Sequence, residues 1–84
     1  MAELIQTYLD IAGGNYNAHV VGEERPDGTW EGWIEFGGWA GDERHTERET
    51  TQPSREALAY WASGLEPVYL EGALTRASRK VSEE

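Results

Sequence analysis

The chain has two histidines and no cysteine, so any metal chemistry must be assembled from His19, His45 and carboxylates. A hairpin offers a way to gather them: residues 15–24, the turn Arg25-Pro-Asp-Gly28, and residues 29–36. If Arg25 faces Thr29 across the turn, His19 falls opposite Glu35; if a third strand then sets His45 opposite Glu35, the row His19, Glu35, His45 crosses three strands on one face. Two imidazoles flanking a carboxylate would give Zn²⁺ three ligands, with water as the fourth, the outline of a small metal-dependent hydrolase. The plainer reading is an exposed polar row sharing a weak charge-assisted contact. It is the one preferred here, because the third strand's register is not pinned by any turn, and no cofactor is expected. Asp42, Glu43, Glu47 and Glu49 lack the fixed spacing of a calcium loop and read as a solvated acidic edge.

The four tryptophans divide into two pairs. Trp30 and Trp61 fall at core positions, one on the hairpin and one on a helix. Trp33 alternates to the opposite side of the hairpin beside Val21, with Glu31 and Glu35 two residues away on either side. Trp39 sits in the glycine-rich loop 37–43. Trp33, Trp39, Val21, Glu31 and Glu35 are therefore the expected binding residues, apolar centres inside a charged rim. The alternative is that Trp39 folds back over a sheet edge and Trp33 packs on Arg48. No catalytic residue is expected: Ser54 and Ser63 stand in no nucleophile motif, Gly37-Gly-Trp-Ala-Gly41 lacks the Gly-Lys-Ser/Thr end of a phosphate loop, and Glu31 with Glu49 or Glu23 has no enclosed pocket to separate two carboxyl pKa values. The chain is not read as an enzyme.

Positioning these side chains requires a sheet. Pro26 presets the first corner of the hairpin turn and Gly28 closes it in the left-handed region. Alternation then puts Tyr16, Ala18, Val20 and Gly22 with Trp30, Gly32, Ile34 and Phe36 on the core face. Residues 44–51 alternate without a large apolar side chain and read as a third, polar strand with its threonines inward, since burying hydroxyls costs less than burying carboxylates. Ser54 caps a helix whose stripe is Ala57, Leu58, Trp61, Ala62 and Leu65, and Gly64 ends it. After Pro67, residues 68–74 alternate as a returning strand, although Leu70, Ala73, Leu74 and Ala77 also fit a helical stripe. Residues 3–12 fit a helix through Leu4, Ile5, Tyr8, Leu9 and Ala12, slightly preferred, or a strand through Ile5, Thr7, Leu9 and Ile11 that hairpins at Gly13-Gly14-Asn15. The expected fold is α+β with the order β-β-β-α-β, an antiparallel meander plus a returning strand with one helix packed on one face, and an extra N-terminal helix or strand. One domain is expected over residues 1–77, followed by a disordered tail, 78–84.

Residues 16–21, Asp27-Gly28-Thr29-Trp30, residues 46–51 and Glu56-Ala57-Leu58 occur in an order that resembles HicB-like antitoxin domains of partial RNase H-like fold, over residues 15–75. The segment after the second strand, Phe36-Gly-Gly-Trp-Ala-Gly41, departs from that family's pattern, and no DNA-binding element follows. Residues 48–74 also look like segments of small bacterial proteins of unassigned function. The resemblance implies an antitoxin-like or inhibitory role towards a protein partner. If the first segment is a helix, α-β-β-β-α also outlines a double-stranded RNA-binding domain, but the start of its second helix would meet phosphates with only Arg55, offset by Glu56.

Charge selects the kind of partner. Among 84 residues, 16 are acidic and 7 basic, a net −9, and positions 1–75 carry 14 acids against 4 bases. Such a field repels nucleic-acid backbones and attracts basic proteins. No apolar run is long enough for a membrane span, and the start of the chain lacks the basic and apolar regions of a signal peptide, so a cytoplasmic location is expected. The function expected is a small acidic protein-binding module, antitoxin-like or inhibitory towards a basic partner. The alternatives are a nucleic-acid mimic or regulator from a mobile element, and the metal-dependent hydrolase. The polar third strand also offers an edge on which a second copy can pair into a homodimer.

Overall fold

The computed structural model describes residues 1–79. Strands β1 (Glu3–Ile11), β2 (Tyr16–Glu24) and β3 (Trp30–Gly38) are followed by a short 3₁₀ turn (Trp39–Gly41) and by β4 (Glu43–His45) and β5 (Thr50–Gln52). Helices α1 (Arg55–Ser63) and α2 (Pro67–Arg76) come next, and β6 (Ser78–Arg79) pairs with β4. All pairings are antiparallel, in the order β1-β2-β3-β4-β6 with β5 also on β3. The α+β class holds, but the order β-β-β-α-β does not: the helices follow the five main strands.

Two elements account for the change. Of residues 3–12, Glu3–Ile11 form an edge strand rather than the preferred helix, and the source of the ambiguity is visible in the register. Between Leu4 and Gln6 and again between Tyr8 and Ile11 the pairing with β2 shifts, so the side chains turned to the core are Ile5, Tyr8 and Ile11. Bulges stretch the period of two towards three, which imitates a helical stripe. Ala12, Gly13 and Gly14 all have positive φ (57°, 71° and 89°) and turn the chain back into β2. The second correction is α2, expected as a returning strand. Pro67 stands at the first helical position, where its missing N–H costs nothing, and Leu70 and Ala73 are buried against the core. Of the expected tail, Ser78 and Arg79 form β6, and residues 80–84 lie outside the described residues.

The β2–β3 register is the expected one up to Phe36, with His19 opposite Glu35 and Val21 opposite Trp33, and the ladder continues through Gly37 and Gly38, which were expected in a loop. Ala18, Val20, Ile34 and Phe36 are buried on the helix side with Ala62, Leu70 and Ala73. Gly22 and Gly32 face each other across the ladder. A Cβ at Gly22 would overlap the Leu58 Cδ2 methyl, and one at Gly32 would stand 2.7 Å from Cδ1, so the two glycines form the pit that receives Leu58 of α1. Ser54 caps α1, its Oγ accepting from the Ala57 amide at 3.1 Å. The Tyr8 hydroxyl fastens the other end to β1, donating to the Ala62 carbonyl at 2.5 Å and accepting from the Leu65 amide at 3.2 Å. Both helices lie on one side of the sheet. The molecule measures 37 × 35 × 18 Å, and the thin dimension leaves room for one sheet and one helical layer.

Candidate functional site

The third strand is where the sheet departs from a plain ladder. β4 pairs with β3 in one of the registers the sequence left open, Glu35 opposite His45, while β5 sets Gly32 opposite Thr50, so two residues are extra between the two segments. Thr46 bridges the gap: its amide donates to the Ile34 carbonyl at 2.9 Å and its Oγ accepts from the Ile34 amide at 3.0 Å. It is 3% exposed. The ladder resumes where the Glu49 amide donates to the Gly32 carbonyl at 2.7 Å. Glu47 and Arg48, the residues between, are exposed. On the helix side, Glu49 accepts from the Tyr69 hydroxyl and from Arg76 Nη2, the latter at 2.7 Å. Burial, then the bond to Glu49, pushes the Tyr69 phenol up to about 12.

The bulge walls a groove of about 770 Å³ on the side of the sheet away from the helices. Its floor is β3, with Glu31, Trp33, Glu35 and Gly37 in alternation; β2 contributes His19; β4 and the bulge contribute Glu43, His45, Glu47 and Arg48. Trp33 is half-buried, and its Nε1 donates to Glu35 Oε2 at 3.1 Å. Beside it Val21 is only 8% exposed although no helix covers this face, because Leu4 and Trp33 flank it in register. Arg25 Nη1 stands 3.3 Å from Glu31 Oε1. At the far end Arg44 is engaged by Asp42, with Nη2 3.4 Å from Oδ2. Asp42 also accepts the Tyr16 hydroxyl at 2.6 Å, and that bond raises the Tyr16 pKa.

Of the expected binding residues, Glu31, Trp33 and Glu35 therefore share one groove, and Val21 supports it from the neighbouring strand. Trp39 lies elsewhere. It is 79% exposed beside a shallow pit of about 360 Å³ that it shares with Asn15, Tyr16 and Asn17, on a turn where Ala40 adopts φ 58°. The row His19, Glu35, His45 forms in register, yet its members have separate partners. His19 Nδ1 is 3.2 Å from Thr7 Oγ1, and His45 Nδ1 donates to the Thr46 carbonyl at 3.3 Å. Among the described residues, no three His, Asp or Glu side chains are grouped closely enough to hold a metal ion.

Leu4 is new to this face; Glu47, expected on a solvated acidic edge, and Arg48, expected only as a packing partner of Trp33, both wall the groove. The signal for the last two was present in Glu47-Arg-Glu49, three charged residues in a row where an inward position falls due, which marks the place a strand must leave its ladder. Leu4 carried no such signal, because its face depends on the β1 bulge. Among the described residues, no helix is long and apolar enough to cross a membrane. Comparison with protein-family models, with curated proteins and with solved structures finds no match.

Proposed function

We propose that the chain is a small acidic binding module, antitoxin-like or inhibitory, that engages a basic protein through the uncovered face of its sheet and performs no catalysis. One observation carries the reading: Trp33, half-exposed and aligned with Val21 and Leu4, stands in a groove bordered by Glu31, Glu35, Glu43 and Glu47 on a face that no helix packs against. An aromatic anchor within a polar rim is the usual anatomy of a protein-binding hot spot. The net charge of −9 favours a basic partner, speeds its encounter and opposes nucleic-acid phosphates.

The test is co-purification from the source cells with wild-type chain, Trp33→Ala, and the double reversal Glu31→Lys with Glu35→Lys. The expected result is a basic protein retained by the wild type and lost by both variants, with their unfolding midpoints close to wild type. A partner held equally by all three chains, or nucleic acid in the eluate, would overturn the reading.

A further inference from the structure

Strand β3 has no free edge where the groove runs. It is hydrogen-bonded to β2 on one side and to β4, Thr46, Glu49 and β5 on the other. A ligand therefore cannot add to it as a further strand, and recognition has to come from side chains standing off the floor. Those side chains form a ruler. Positions on one face of a strand recur about every 6.8 Å, and here they are Glu31, Trp33 and Glu35, followed by Gly37, which presents no side chain. Two carboxylate positions about 14 Å apart thus flank one indole. The indole is already oriented: its N–H is spent on Glu35, so what it offers a ligand is the ring face, whose negative quadrupole sits beside a carboxylate.

We propose that this groove takes an extended segment of a protein partner carrying arginines at positions i and i+4 and an apolar residue at i+2. The proposal rests on the reading that the outer face binds a basic protein, and it names the part of the partner that is read. An extended chain has the same two-residue period as β3, so its i, i+2 and i+4 side chains fall over Glu31, Trp33 and Glu35 in turn. In a helix the same two arginines would stand only about 6 Å apart along the axis, less than half the distance between the carboxylate positions. Arginine fits better than lysine, since a guanidinium meets a carboxylate with two parallel N–H groups. His19 on one side and the bulged Glu47 and Arg48 on the other confine the segment to the direction of β3. A second copy of the chain is a poorer occupant, because each copy carries −9 and the two would repel.

The experiment uses the whole chain and three short blocked peptides: Arg-Ser-Leu-Ser-Arg, the compressed Arg-Leu-Arg, and the charge-reversed Glu-Ser-Leu-Ser-Glu. Affinity is read by calorimetry, and contact by the Trp33 indole N–H resonance, identified by its loss in Trp33→Phe. The expected result is that the first peptide binds about tenfold or more tightly than the others, moves the Trp33 resonance, and loses that advantage in Glu31→Gln and Glu35→Gln chains whose amide spectra show them folded. Equal binding of both basic peptides with the Trp33 signal moving overturns the spacing and leaves the acidic-face reading intact. Binding that leaves Trp33 unmoved overturns both. If no peptide binds while a basic protein is still captured through Trp33, the groove reads a folded surface, and the extended segment is wrong.

Discussion

The two faces of the β2–β3 hairpin are built from neighbouring residues and do opposite things. On the helix side, Gly22 and Gly32 leave a pit filled by Leu58, which is fully buried; one residue away on the other side, Val21 and Trp33 have no covering element among the described residues. The same alternation, in the same register, produces a packed interface on one side and an apolar strip under a charged rim on the other. The difference teaches that a large aromatic side chain on a strand is not by itself a core residue. What decides is whether a helix is available to cover it, and both helices pack on one face.

The largest effect should come from emptying the pit. Leu58→Ala is expected to lower stability by about 2 to 5 kcal/mol, measured as the shift in urea unfolding, because the flanking glycines have no side chains with which to refill the space. A loss under about 1 kcal/mol would mean that the glycine pit is not a packed contact and that the two faces differ little in packing.

Next comes the bridge between β4 and β5. Thr46→Val keeps the shape but removes the oxygen that accepts from the Ile34 amide, leaving a buried donor unpaired at about 1 to 3 kcal/mol. Hydrogen exchange at Ile34 should accelerate, whereas Thr46→Ser should restore protection. Unchanged exchange in the valine variant would show that the strand pairing does not depend on this hydroxyl.

A smaller effect, confined to high pH, is expected at Tyr69. Its phenol is raised from about 10 to about 12 in the folded chain. The neutral form is therefore the one folding favours, and its contribution is complete below about pH 10 and lost as pH climbs through about 12. Unfolding midpoints followed across that window should fall for the wild type and fall less for Tyr69→Phe. Parallel profiles would place the alkaline sensitivity elsewhere.

The smallest effect on stability belongs to the groove. Trp33→Ala should cost about 1 kcal/mol or less, through lost cover over Val21 and the lost bond to Glu35. A loss comparable to that of Leu58→Ala would show Trp33 to be a structural residue and would remove the main support for a binding face.

Much of this architecture was legible beforehand. Pro26 and Gly28 set the hairpin, and with it the pairings from Ala18 with Phe36 to Glu24 with Trp30; the Ser54 cap and the stripe through Leu58 and Ala62 set α1. Even the polar row was foreseeable, since Glu35 does lie opposite both His19 and His45. A row in register is not a ligand set, however. Each imidazole has its own hydrogen-bond partner, on Thr7 and on Thr46, and alternation alone carries no information about where rotamers point.

What the sequence determined by itself is thus the local part: turn, cap, strand alternation, the excess of negative charge, and the sorting of Trp30 and Trp33 to opposite faces. These depend on φ restrictions and on side-chain periodicity, which act within a few residues. The tertiary structure alone decided three matters: that residues 3–11 are a bulged strand, that residues 67–76 are a helix, and that Glu47 and Arg48 leave the ladder to wall the groove. In each case the local pattern fitted two conformations. The choice fell to partners distant in the chain: β2 for the first, the core beneath β1 for the second, and the Ile34 and Gly32 backbone for the third, since buried apolar surface and unpaired amides are satisfied only when the whole chain has come together.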